Sequence, residues 1–202
     1  MAYPTRRPLR ALFDEAPTPL IAHPPQTHQR GYYLATDGSY RPGGGGLGVL
    51  IEDAAGRTVR RLALPDTPPD NNAAEVRALA VGLRTLAACS PADARVGVIV
   101  DHDTLAAAVN GHLLGRPPAS HLSAAQARRI GSDRHWRAIC AHLGRFGALR
   151  VSTVPSAVNP AHPLANDPAA YAHLRTQPAV THPDRGTSSV TPPPSRLAAS
   201  DD

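Results

Sequence analysis

Lysine is absent from all 202 residues, so every fixed positive side chain, 21 in number, is arginine. The planar guanidinium fork suits phosphate better than an ammonium point charge does. A GC-rich coding sequence would leave the same bias, so this absence alone assigns no function. Cysteine is scarce: Cys89 and Cys140 are the only two and form no CxxC pair. That excludes a disulfide framework and implies a reducing compartment, with both thiols acting as small inert hydrophobes. No apolar run approaches the ~20 residues that a membrane-spanning helix needs. Near the N-terminus, Asp14 and Glu15 interrupt the apolar residues, so no secretory leader is expected. The expectation is a cytoplasmic protein with no membrane partner, acting as a monomer.

Apolar residues make up 42% of the chain, enough for one packed core. The 22 prolines crowd towards both ends. Residues 1–30 and 176–202 therefore read as proline-rich disordered tails around a globular domain at 31–175. The formal charge is +5, and the domain holds 15 arginines against 11 acidic residues. This mild excess admits a nucleic-acid partner without requiring one.

Hydrophobic periodicity gives the order of elements. GYYLATDG (31–38) alternates with period two and reads as a strand, with Tyr33, Ala35 and Asp37 on one face. Gly43–Gly46 reads as a flexible turn, and 47–53 and 58–64 as two further strands in an antiparallel meander. From 72 to 88 the spacing of Val76, Leu79, Leu83 and Leu86 becomes helical, with Asn71 or Asn72 as N-cap. RVGVIVD (95–101) is apolar on both faces, as a buried central strand is. A helix at 103–110 follows, then one at 134–146, a fifth strand at 148–154 and a last helix at 163–175. Residues 112–132 carry no clear period. The fold class is α/β: a mixed five-stranded sheet, three antiparallel strands and then parallel ones, flanked by helices.

Three acids occupy special places in this layout. Asp37 ends the first strand, Glu75 lies in the first turn of the long helix, and Asp101 ends the fourth strand. Neighbouring central strands deliver their C-terminal side chains into one cleft. Clustered carboxylates repel unless a cation neutralises them, and hard oxygen donors select Mg²⁺ or Mn²⁺. Two such ions ~4 Å apart clamp the attacking and leaving oxygens of a phosphodiester.

Four segments then carry a resemblance. TDGSY (36–40), NNAAEVRAL (71–79), VIVDHDTL (98–105) with Asn110-Gly111, and VPSAVNPAHPLAN (154–166) resemble, in order, the motifs of type 1 ribonuclease H. The likeness spans about 31–172 and points to the compact branch lacking the basic protrusion. It implies a ribonuclease H-like fold and hydrolysis of the RNA strand of RNA/DNA hybrids with two Mg²⁺ or Mn²⁺ ions per site. By the same resemblance Asp37, Glu75 and Asp101 are catalytic metal ligands, while Gly38, Ser39, Asn71 and Asn72 touch substrate. His162 falls where the family has its fourth, aspartate ligand, and His102 where it usually has serine. Arg116, Arg128, Arg129, Arg134 and Arg137 would meet phosphates of the DNA strand.

Each residue also has a plainer role. Asp37 before Gly-Ser is a turn residue, and Glu75 gains from the helix dipole without any metal. Asp101 or Asp103 would cap the following helix, with Asp103 the better cap and Asp101 the better ligand. Asp167 before Pro168 is an N-cap signal, but also the nearest acid to the fourth ligand position. Trp136 reads as a semi-buried anchor. The other reading of the whole is a binding module of the same fold, catalytically weakened because imidazole suits a hard cation poorly.

Overall fold

A computed structural model describes residues 7–21, 30–132 and 134–173. Five strands form one sheet in the order β3-β2-β1-β4-β5: β1 Tyr32–Arg41, β2 Gly44–Asp53, β3 Thr58–Asp66, β4 Arg95–Val100 and β5 Ala148–Thr153. β1, β2 and β3 pair antiparallel, whereas β4 runs parallel to both β1 and β5. The expected mixed sheet is therefore present, with β1 and β4 as neighbours.

Alternation along the strands builds two cores. One face packs α2 (Asn71–Cys89), α3 (Asp103–Leu113) and α5 (Arg134–Leu143) over Leu34, Val49, Ile51, Val98 and Val151. Trp136 is partly buried against this core, beside His112. The opposite face buries Tyr33, Ala35, Leu50 and Ile99 beneath α1 (Leu9–Glu15) and α6 (His162–Asn166). Both cysteines are free and half-buried, and burial raises their pKa, in keeping with inert thiols.

α1 corrects the expected disordered N-terminal tail. Leu9 and Phe13 are fully buried, and the Leu9 N–H donates to Glu52 Oε2 at 2.7 Å. The segment continues across the sheet, where Thr153 N–H donates to the Pro17 carbonyl and Asn110 Nδ2 to that of Pro19. Proline here makes an extended strap with free carbonyls, which neighbouring donors satisfy. The expected tail at 176–202 lies outside the described residues.

Other differences have local causes. Gly44–Gly46 belongs to β2, not to a turn, because α6 lies directly on it. A Cβ on Gly46 would stand 2.3 Å from the Ala165 carbonyl oxygen, and one on Gly48 2.2 Å from that of Ala161. The last helix stops at Asn166 rather than running to 175, since Pro168 cannot continue it. Asp70, not Asn71 or Asn72, caps α2, accepting from Ala73 N–H at 2.8 Å. His102, not Asp103, caps α3. The stretch without clear period holds α4 (Ala124–Ser132), a short surface helix.

Candidate active site

Asp37 and Asp101 meet because their strands are parallel neighbours in register. Ala35 pairs with Ile99, and each acid stands two residues further on. Alternation turns Asp37 to the α6 face and leaves Gly38 under α2. The N-terminal turn of α2 presses so closely there that a Cβ on Gly38 would lie 2.2 Å from the Ala74 carbonyl carbon. This approach sets Glu75 near enough to the two aspartates to feel the charge of both.

Asp37 and Glu75 are only 1% and 3% exposed. Burial, then the charge of Asp101, pushes Asp37 up to about 8. Burial, then the charges of Asp101 and Asp37, pushes Glu75 up to about 9. Among the described residues, Asp37 Oδ1 and Glu75 Oε2 are buried with no hydrogen-bond partner. Orphaned carboxyl oxygens that repel one another once ionised are what a divalent cation relieves. The donor set fits a divalent cation that takes oxygen ligands.

His162 opens α6 and reaches the same point. One ligand atom each from Asp37, Asp101 and His162 lie within 4.8 Å of one another. His162 Nδ1 is 3.3 Å from Asp37 Oδ2, and its Nε2 is 2.6 Å from Asn166 Nδ2. Asp167 does not join the cluster: it is exposed, and its Oδ1 accepts from Ala170 N–H at 3.2 Å to close a turn. Its capping role holds for this turn, not for a helix beginning there.

The residues expected to touch substrate divide. Ser39 is buried, and its hydroxyl donates to the Ala165 carbonyl at 2.7 Å while accepting from Gly46 N–H. Its side chain is thus occupied in seating α6, so a contact of Ser39 with substrate would run through its backbone. Asn71 is exposed, whereas Asn72 is half-buried and 2.7 Å from His102 Nε2. Burial lowers the pKa of His102. Asn72 and His102 border a cleft of about 370 Å³ between α2, α3 and α4, with Val76, Leu105 and Arg129 in its walls. Arg116, Arg128, Arg129, Arg134 and Arg137 are all exposed on the α3–α5 side.

Two site-shaping residues were not picked out from sequence. Ser156 donates to Asp101 Oδ2 at 2.5 Å. Buried Asn159 donates to the Thr36 carbonyl at 2.9 Å, tying the segment before α6 to the strand that carries Asp37. The neighbouring prolines mark a constrained loop, but only the fold says what it is tied to.

No family model matches the chain, nor does any curated protein. Solved structures do match. A ribonuclease H1 isolated from compost by a metagenomic approach is 22% identical over 71% of this chain and 99% of its own, with a TM-score of 0.54. Ribonuclease H1 from the halophilic archaeon Halobacterium salinarum is 24% identical over 67% and 95%, with a TM-score of 0.51. The N-terminal ribonuclease H domain of a Mycobacterium tuberculosis protein is 21% identical over 67% and 96%, with a TM-score of 0.52. The chain has the ribonuclease H fold, as its four motifs implied.

Proposed function

We propose that this chain is a metal-dependent endonuclease that hydrolyses the RNA strand of RNA/DNA hybrids. One observation carries the reading: Asp37 and Asp101 meet past the paired ends of parallel strands, Glu75 lies near them at the start of α2, and among the described residues Asp37 Oδ1 and Glu75 Oε2 are buried with no hydrogen-bond partner. Mg²⁺ or Mn²⁺, two ions per site, is the cofactor that suits these donors; when bound it activates water and stabilises charge on the phosphate. Asp37, which has Asp101 and His162 as neighbours, would be the central residue holding the metal. Glu75 and Asp101 complete the set, and His162 takes the fourth position. The Ser156 hydroxyl orients the Asp101 carboxylate.

Substrate recognition follows the cleft. Asn71, exposed, and Asn72, held by His102, open the helix that carries Glu75 and would face the minor groove and the RNA 2′-hydroxyls. The five exposed arginines supply salt-dependent contacts to the DNA strand's phosphates. The fold's ability to host other nucleases makes the substrate a separate question from the site.

A second reading, a binding module with weak turnover, draws on His162, because imidazole holds a hard cation less well than carboxylate does. One experiment tests both. The full chain is incubated with labelled RNA/DNA hybrid, duplex DNA and duplex RNA, each with Mg²⁺, Mn²⁺ or chelator. Cleavage of the RNA strand of the hybrid alone, lost with chelator and in Asp37→Asn, is expected. Hybrid binding without metal-dependent cleavage would establish the second reading.

A further inference from the structure

His102 makes two bonds that together fix more than itself. Its Nδ1 is 3.1 Å from the Leu105 N–H, which caps α3, and its Nε2 is 2.7 Å from Asn72 Oδ1. A backbone N–H can only donate, so Nδ1 must be the lone-pair nitrogen. The imidazole proton therefore sits on Nε2 and is donated to the Asn72 amide oxygen. With its oxygen engaged, Asn72 has only Nδ2, a donor, for a ligand in the adjoining cleft. An unsupported asparagine side chain would present either end.

We infer that His102 is a positioning residue, which locks the Asn72 amide so that it offers a donor to a hydrogen-bond acceptor on the bound nucleic acid. The minor-groove edges of bases and the ribose 2′-oxygen are such acceptors. This rests on the proposed hybrid substrate. His102 does not touch reacting atoms; it acts through Asn72, removing the entropic cost of ordering that side chain on binding. Its effect falls on affinity rather than on the chemical step.

The test uses the full chain with labelled hybrid and Mn²⁺, comparing His102→Ser, Asn72→Ala and the double variant. Serine caps a helix well but is too short to reach Asn72, so the cap survives and the lock is lost. The expected result is a KM raised roughly 3- to 10-fold with kcat little changed, the loss that releasing one ordered side chain implies. The double variant should be no worse than Asn72→Ala alone, since the effect of His102 passes through Asn72. Nitrogen NMR shifts of the His102 ring should report Nε2–H in the free protein. Additive losses, an unchanged KM in His102→Ser, or a ring protonated on Nδ1 would overturn the inference while leaving the nuclease reading intact. A wild-type chain that neither binds nor cuts hybrid would overturn both.

Discussion

The bare α-carbon of Gly38 lets the backbone of Glu75 press onto β1: a Cβ there would stand 2.5 Å from the Glu75 nitrogen. The glycine thus determines how far Glu75 stands from Asp37. Any side chain there would collide with backbone, not with a yielding side chain.

Gly38→Ala should accordingly damage fold and site together. The added Cβ would lie 2.2 Å from Ala74 and 2.5 Å from the Glu75 nitrogen, so the start of α2 must move away. Overpacking of this kind costs about 1–3 kcal/mol. Thermal unfolding should fall, and calorimetry should find weaker Mn²⁺ binding. An unchanged Mn²⁺ affinity would mean that Glu75 is not held by this contact.

The raised acids make metal-free stability fall as pH rises. Unfolded, both groups release their protons near pH 4. Folded, Asp37 keeps its proton to about 8 and Glu75 to about 9. Between these limits the folded state binds more protons than the unfolded one, so each step up in pH favours unfolding. In chelator, the melting temperature should decline from about pH 5 to pH 8, with the carboxylates contributing to that slope. Mg²⁺ or Mn²⁺ should flatten it, because a bound cation stabilises the ionised forms. Scanning calorimetry across that range checks this; a chelator profile that rises with pH would contradict it.

Much of this was legible in sequence, and the failures are instructive. The strands showed because apolar residues alternate, and Asp37, Glu75 and Asp101 because strand ends and a helix start are read from period and breakers. Glycine-rich β2 misled because glycine is a poor strand former; its use there answers to α6, more than 110 residues away in sequence. α1 was hidden by flanking prolines and by its length of only seven residues. The structural role of the Ser39 hydroxyl was not legible either, since its partners, Ala165 and Gly46, belong to elements that meet it only in the folded chain.

The N-terminal helix supplies a direct test of where the domain begins. Phe13 is fully buried, packs edge-on against Tyr33, and lies under the Arg30 guanidinium. Removing a buried aromatic costs about 3–5 kcal/mol. Set against a typical domain stability of about 5–15 kcal/mol, Phe13→Ala should lower the denaturant midpoint sharply. Deleting residues 1–21 should do at least as much, since it also takes from Thr153 N–H and Asn110 Nδ2 the carbonyls of Pro17 and Pro19. A deletion that left the midpoint unchanged would restore the reading of these residues as a dispensable tail.

His162 is where the site leaves the pattern it resembles, and three substitutions decide what that means. His162 Nδ1 faces Asp37 Oδ2, whereas Asp167 is exposed and engaged with Ala170. If His162 holds the fourth position, His162→Asp supplies a hard oxygen and should lower the Mg²⁺ concentration needed for half-maximal rate. His162→Ala should be milder than Asp37→Asn, because neutral imidazole contributes little to a hard cation, while Asp37 is central to the cluster. Asp167→Asn should change cleavage little, since asparagine caps a turn as well as aspartate does. The competing assignment puts Asp167 at the metal and forecasts the reverse. Rate measured against Mg²⁺ concentration separates them: a dead Asp167→Asn beside a silent His162→Asp would transfer the fourth ligand to Asp167.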